Sequence, residues 1–181
     1  MTPQKHQSII HYYFSAYGGW KAIFRSKYFW FSIVFTAILY PYWHINEWWN
    51  DVLDIIPNLL GFTLGGYAMM LAFGNEKFQK ILSKINDGDD YSAFTDLNVA
   101  FVHFIVLQIL SILLALMCKA YYFTIPSSSS FYSLSEYLFI VAVPWYGFCY
   151  FLFVYSIVST FAATFAILRL MKMYQYFLNN E

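Results

Sequence analysis

The chain has 181 residues, 60% of them hydrophobic, 24% aromatic and only 11% charged, and its ten basic and ten acidic side chains cancel. Soluble domains carry about 25% charged residues, so this composition, with a mean hydropathy of +0.51, excludes an ordinary soluble domain and points to the membrane. A net charge of zero offers no attraction to a polyanion, and no direct nucleic-acid partner is expected.

The first twenty residues lack a continuous apolar core and an A-x-A site, so the first span is expected to direct its own insertion. Ile10, Tyr13, Phe14 and Tyr17 recur at helical spacing before Gly18-Gly19. That pattern predicts a short amphipathic helix, lying on the membrane surface or docked on the cytosolic side of the protein. Trp20, Lys21, Arg25 and Lys27 follow as an aromatic and basic belt. Span one is predicted over residues 28–43, short for a hydrocarbon core of roughly 30 Å. Beyond it, Trp48 and Trp49 read as an interfacial anchor.

Span two is predicted over residues 53–73. Pro57 is expected near its first turn, where a missing N–H is tolerated. Asn58 either caps backbone groups freed by the proline or points into a cavity. Gly61, Gly65, Ala68 and Ala72 share one helical face, a strip along which another backbone can come close. The strip fits tight packing inside the chain's own bundle, or else a subunit contact or a pore-facing surface.

Residues 75–95 form a cytosolic amphipathic loop. Phe78, Ile81, Leu82 and Ile85 make one helical face, and Lys77, Lys80 and Lys84 another. Such a helix is expected to rest on anionic lipid or to bind a cytosolic partner. The run Asp87-Gly88-Asp89-Asp90 lacks the ligands and closing glutamate of a calcium loop and reads as a solvated turn.

Span three is predicted over residues 97–118. Its polar members are Asn98, His103 and Gln108, with Gln108, Ser111 and Ala115 on one face. Polar groups in hydrocarbon are costly, so they are expected to bond between helices or to serve a gate or ion path, with His103 the one suited to titrate. Cys118 and Cys149 lie in apolar runs and are expected to pack, not to pair or bind metal. The serine-rich stretch 124–133 reads as an exposed loop.

The last apolar region, 134–170, exceeds one ordinary span. Pro144 and Gly147 are expected to break it, leaving a short outer helix or bent start over 136–143 and span four over 146–168. Ser156, Ser159 and Ala163 form a second small-residue face, a natural complement to the glycine strip.

The fold class expected is therefore all-α: a polytopic membrane protein of four transmembrane helices with short amphipathic interfacial helices. With both termini cytoplasmic, Lys5, Lys21, Arg25, Lys27, Lys77, Lys80, Lys84, Arg169 and Lys172 fall inside and only Lys119 outside, a strong positive-inside pattern. No H-E-x-x-H, C-x-x-C, G-x-S-x-G or P-loop is present, so neither an enzyme nor a cofactor is expected. Internal repeats and acids at the bilayer centre are missing too, which disfavours a lone transporter. Four spans enclose little on their own, and a homo-oligomer of C2 to C5 symmetry is expected. Two functions fit. One is a scaffold or sensor subunit coupling an envelope or bilayer event to a cytosolic partner. The other is a ring-forming channel or membrane-permeabilising effector. Because span two leads straight into the basic helix, a shift along its glycine face is expected to move the surface offered to a partner.

This architecture resembles the small four-span membrane subunits of bacterial anti-phage systems, those of the Kiwa type in particular. What matches is the four short spans, cytosolic ends, a brief basic cytosolic loop and the lack of an enzymatic motif, with Ile56–Phe62 (IPNLLGF) suggestive. The resemblance implies a homo-oligomer, with a tetramer favoured, in the bacterial inner membrane. It would sense phage action on the envelope and work with a DNA-binding cytosolic partner.

Overall fold

The structure is a computed structural model describing residues 8–44, 47–72, 76–85, 88–122, 125–126, 128–129 and 132–179. Lys5, His6, Gly74, Asp87 and part of the serine loop lie outside the described residues. Those described form helices and connections only: α1 (Ile9–Tyr17), α2 (Gly19–Arg25), α3 (Lys27–Ile38), α4 (Tyr40–Trp43), α5 (Trp48–Ala72), α6 (Glu76–Leu82), α7 (Ala93–Ala120) and α8 (Leu134–Asn179).

Three helices, α5, α7 and α8, are long and apolar enough to cross a membrane. The fourth expected span is not of that kind. α3 has 12 residues, about 18 Å of rise, and Leu39 interrupts the helix before α4. α3 and α4 lie along α8 and run against it. Phe29 packs on Phe151 and Tyr155, whereas Trp43 packs on Tyr150.

Pairings fix the remaining directions. Trp49 meets Tyr122 and Tyr67 meets Phe101, so α5 is antiparallel to α7. Trp48 meets Tyr146 and Gly66 faces Ile167, so α5 is parallel to α8. The start of α3, the end of α5, the start of α7 and the end of α8 thus share one end of the bundle. Lys21, Arg25, Lys27, Lys77, Lys80, Lys84, Arg169 and Lys172 belong to that end. Lys119 sits at the other, donating to Asn50 Oδ1 at 3.0 Å.

Local chemistry explains the breaks. Gly18 ends α1 in the left-handed conformation (φ 92°), its N–H reaching the Phe14 and Ser15 carbonyls. Gly19 also has positive φ (63°), so the tight α1–α2 corner rests on two glycines. Ser92 caps α7, its Oγ accepting from the Thr95 N–H at 3.2 Å.

Two proline expectations are corrected. α5 starts at Trp48, so Pro57 stands in the helix interior and not in its first turn. Pro144 and Gly147 do not break α8, which continues for 46 residues, about 69 Å. Pro144 is exposed, and loss of one ladder bond in a long apolar helix is tolerated. Gly147 has a different job. A Cβ there would stand 2.9 Å from Trp43 Cη2, so the glycine makes room for an indole.

The core divides in two. At the Lys119 end, Trp43, Trp48, Trp49, Val52, Ile56 and Tyr150 form the centre of a cluster that also holds Cys118 and Cys149, both free thiols. Trp48 and Trp49 are 1% and 3% exposed, so they are core residues and not an interfacial anchor. At the basic end, Met70, Phe101, Phe104, Ala163 and Leu170 pack with Phe78 and Leu82 of α6.

Candidate functional site

The most elaborate polar arrangement is built on His103. It lies in α7 and is 5% exposed. Its Nδ1 is 2.7 Å from the Tyr13 hydroxyl of α1, and its Nε2 is 3.5 Å from the Tyr155 hydroxyl of α8. The Tyr17 ring stacks on the imidazole with centroids 3.9 Å apart. An imidazole with a single N–H can donate to one hydroxyl and accept from the other, so both nitrogens have partners.

Tyr13 and Tyr17 are four residues apart, one helical turn, which is why α1 presents both to the same imidazole. Burial pushes the Tyr13 hydroxyl up to about 12, with Tyr17 adding to the effect. Burial, then Tyr155, pushes Tyr17 up as well. Both hydroxyls therefore keep their protons at neutral pH. A second tether joins Ser15 Oγ to the Tyr91 hydroxyl at 3.1 Å, with the Tyr12 ring edge-on to Tyr91. α1 is thus fastened to the start of α7 by side-chain bonds, with Ile9 and Ile10 left exposed.

Gln108 faces a different neighbour. It is fully buried, and its Nε2 donates to Thr63 Oγ1 of α5 at 3.0 Å. Its Oε1 has no partner among the described residues. Thr63 Oγ1 in turn donates to the Leu59 carbonyl at 2.8 Å. Ser111, one turn on, shares its hydroxyl between the Leu107 carbonyl (2.9 Å) and the Leu152 carbonyl of α8 (3.1 Å). The polar face of α7 thus stitches together three long helices.

Asn58 belongs to neither network. Its side chain is exposed and donates to the Asp54 carbonyl of its own helix at 2.9 Å. Asn58 thus faces away from the interior of this chain's own bundle.

The two small-residue faces also part company. Ser156, Ser159 and Ala163 are buried within the bundle. The two serine hydroxyls donate to carbonyls of their own helix, Phe153 and Ser156, each at 2.8 Å. Gly61, Gly65, Ala68 and Ala72 are exposed on the outside of α5, and a Cβ added at Gly61 or Gly65 would meet nothing within 4 Å. The strip therefore does not meet its expected complement on α8. Gly66 makes that approach, with Ile167 Cδ1 3.4 Å from the position of an added Cβ. The strip is legible from its spacing, but spacing holds no information on which way a helix is turned.

α6 places Phe78 and Leu82 against the end of α8, Phe78 packing on Tyr174 and Phe177. Lys77, Lys80 and Lys84 are exposed on the far side. Tyr13, Tyr17 and Tyr155 are not readable as site residues from the sequence, since the first two show only helical spacing within α1 and Tyr155 lies far off on α8.

Fold and site together define an all-helical protein with a membrane-type core of three long apolar helices and surface helices fastened to one end of it. No family model, curated protein or solved structure matches the chain.

Proposed function

We propose that this protein is an oligomeric membrane scaffold or sensor subunit that couples an event in the bilayer or envelope to a cytosolic partner. The observation that carries the reading is the attachment of the two surface helices at the same, basic end of the bundle. α1 is bound through Tyr13 to His103, and α6 through Phe78 to the end of α8. A change in how α5, α7 and α8 pack would shift both surface helices at once.

On this reading α3 and α4 together make the fourth crossing, from Lys27 to Trp43. Both termini then lie in the cytoplasm, as the gathering of basic residues favours. The outward strip of Gly61, Gly65, Ala68 and Ala72 is the face offered to a second copy. The resemblance to anti-phage membrane subunits supplies the physiological setting proposed: an inner-membrane homo-oligomer that detects phage action.

A channel is the weaker reading because several polar side chains between the long helices are engaged in bonds within the bundle, Gln108 Oε1 being an exception. Gln108 bonds Thr63, and Ser111, Ser156 and Ser159 bond backbone carbonyls. The clefts beside Gly66 hold about 40 and 20 Å³. Liposomes reconstituted with this chain alone decide between the two. The sensor reading expects no dye leakage, together with retention of a soluble protein that Lys80→Glu/Lys84→Glu abolishes. Leakage from those liposomes would overturn it.

A further inference from the structure

Between α6 and the last turns of α8 lies an open groove of about 600 Å³, within the range of ligand clefts. Its floor is Phe78 and Leu82, both buried, and its walls include Ile81, half exposed, and Met173. Arg169 and Lys172 stand on its rim, both exposed. They are three residues apart and so share a face of α8. Neither has an ion pair among the described residues.

The groove's position is informative. α8 carries no charged side chain between Glu136 and Arg169. The groove therefore opens where apolar helix gives way to basic helix, at the level where a phospholipid's acyl chains meet its phosphate. Tyr176, 73% exposed at the groove's outer end, is a residue type enriched at that level.

We propose that this groove binds one anionic glycerophospholipid. An acyl chain lies over Phe78, Leu82 and Met173, and the phosphate sits between Arg169 and Lys172. The apolar walls select an amphiphile over a soluble anion, and the two cations select an anionic headgroup over a zwitterionic one. α6 is then held to α8 by lipid as well as by Phe78, which gives the surface helix a dependence on bilayer composition. This assignment stands apart from the sensor reading: leaking liposomes would sink that reading and leave lipid retention untouched.

Native mass spectrometry of the full chain in detergent, titrated with phosphatidylglycerol or phosphatidylcholine, tests it. Wild type is expected to retain phosphatidylglycerol in preference. Arg169→Gln/Lys172→Gln should reduce that retention roughly ten- to thirtyfold, and Lys119→Gln, at the other end, should leave it unchanged. Equal retention of both lipids, or an equal loss in Lys119→Gln, overturns the proposal. If the double variant does not fold, location decides on wild type. A phosphatidylglycerol with a photoreactive acyl chain should label α6 and residues 169–177, and labelling confined to other segments overturns the assignment.

Discussion

The Trp43 indole occupies the space that a side chain on Gly147 would need. An added Cβ would stand 2.9, 3.3 and 3.4 Å from three of its ring carbons. Trp43 is 7% exposed, its Nε1 donates to the Thr36 carbonyl at 2.8 Å, and its ring stacks on Tyr150. An indole held on two sides cannot retreat. Gly147→Ala is therefore expected to destabilise the fold by about 1–3 kcal/mol through overpacking. Thermal unfolding in detergent should show the drop, and Gly147→Ala combined with Trp43→Phe should lose less than the two single changes summed.

The glycines of α5 are expected to separate into two classes. Gly66→Leu forces a side chain against Ile167 and should lower thermal stability by about 1–3 kcal/mol. Gly61→Leu and Gly65→Leu add side chains where nothing lies within 4 Å, and should stay within about 0.5 kcal/mol of wild type. If the strip joins subunits, those two changes reduce the mass of the assembly while its melting behaviour persists. An undiminished mass would place the subunit contact elsewhere.

The Gln108–Thr63 pair allows a test of opposite signs. Thr63→Val removes the only partner that the Gln108 amide has among the described residues, and should cost about 0.6–1.7 kcal/mol, the measured scale for hydrogen bonds between membrane helices. Gln108→Leu removes the donor together with its unpartnered Oε1, and should be near neutral or stabilising. Chemical denaturation in mixed micelles would show whether the two variants differ in this order.

Tyr13→Phe should free α1 while leaving the long helices in place, at a cost of about 0.5–1.5 kcal/mol. Hydrogen exchange across residues 9–17 is the readout, and it should quicken there and not in α7. The pH dependence follows from the raised Tyr13 value. The folded state holds this proton more tightly than an unfolded chain, whose tyrosines ionise near about 10. The associated stability is complete below that pH and is lost as pH rises from there toward about 12. Protection of α1 in the wild type should fall over that interval, and Tyr13→Phe should show a smaller fall, the remainder coming from Tyr17, whose hydroxyl burial also pushes up.

Much of the fold was legible from the residues alone. The apolar runs of α5, α7 and α8, the stop at Gly18-Gly19 and the gathering of lysines near the helix ends each depend on residues close in sequence. The misread features depend on distant neighbours. Gly147 reads as a breaker until Trp43 is placed beside it. Trp48 and Trp49 read as an interfacial anchor until Tyr146, Tyr150 and Tyr122 surround them. Three tyrosines from α1 and α8 become a site only when His103 brings them together.

Hydropathy and charge add up locally along a span, so the order of residues is enough to dictate an apolar, helical, membrane-type chain. How each helix is turned about its axis depends instead on packing between distant segments. One residue of α-helix is a rotation of about 100°, which separates Gly65, facing outward, from Gly66, facing Ile167. That rotation is set by which side chains fill the neighbouring helices' gaps, and no single segment carries that information.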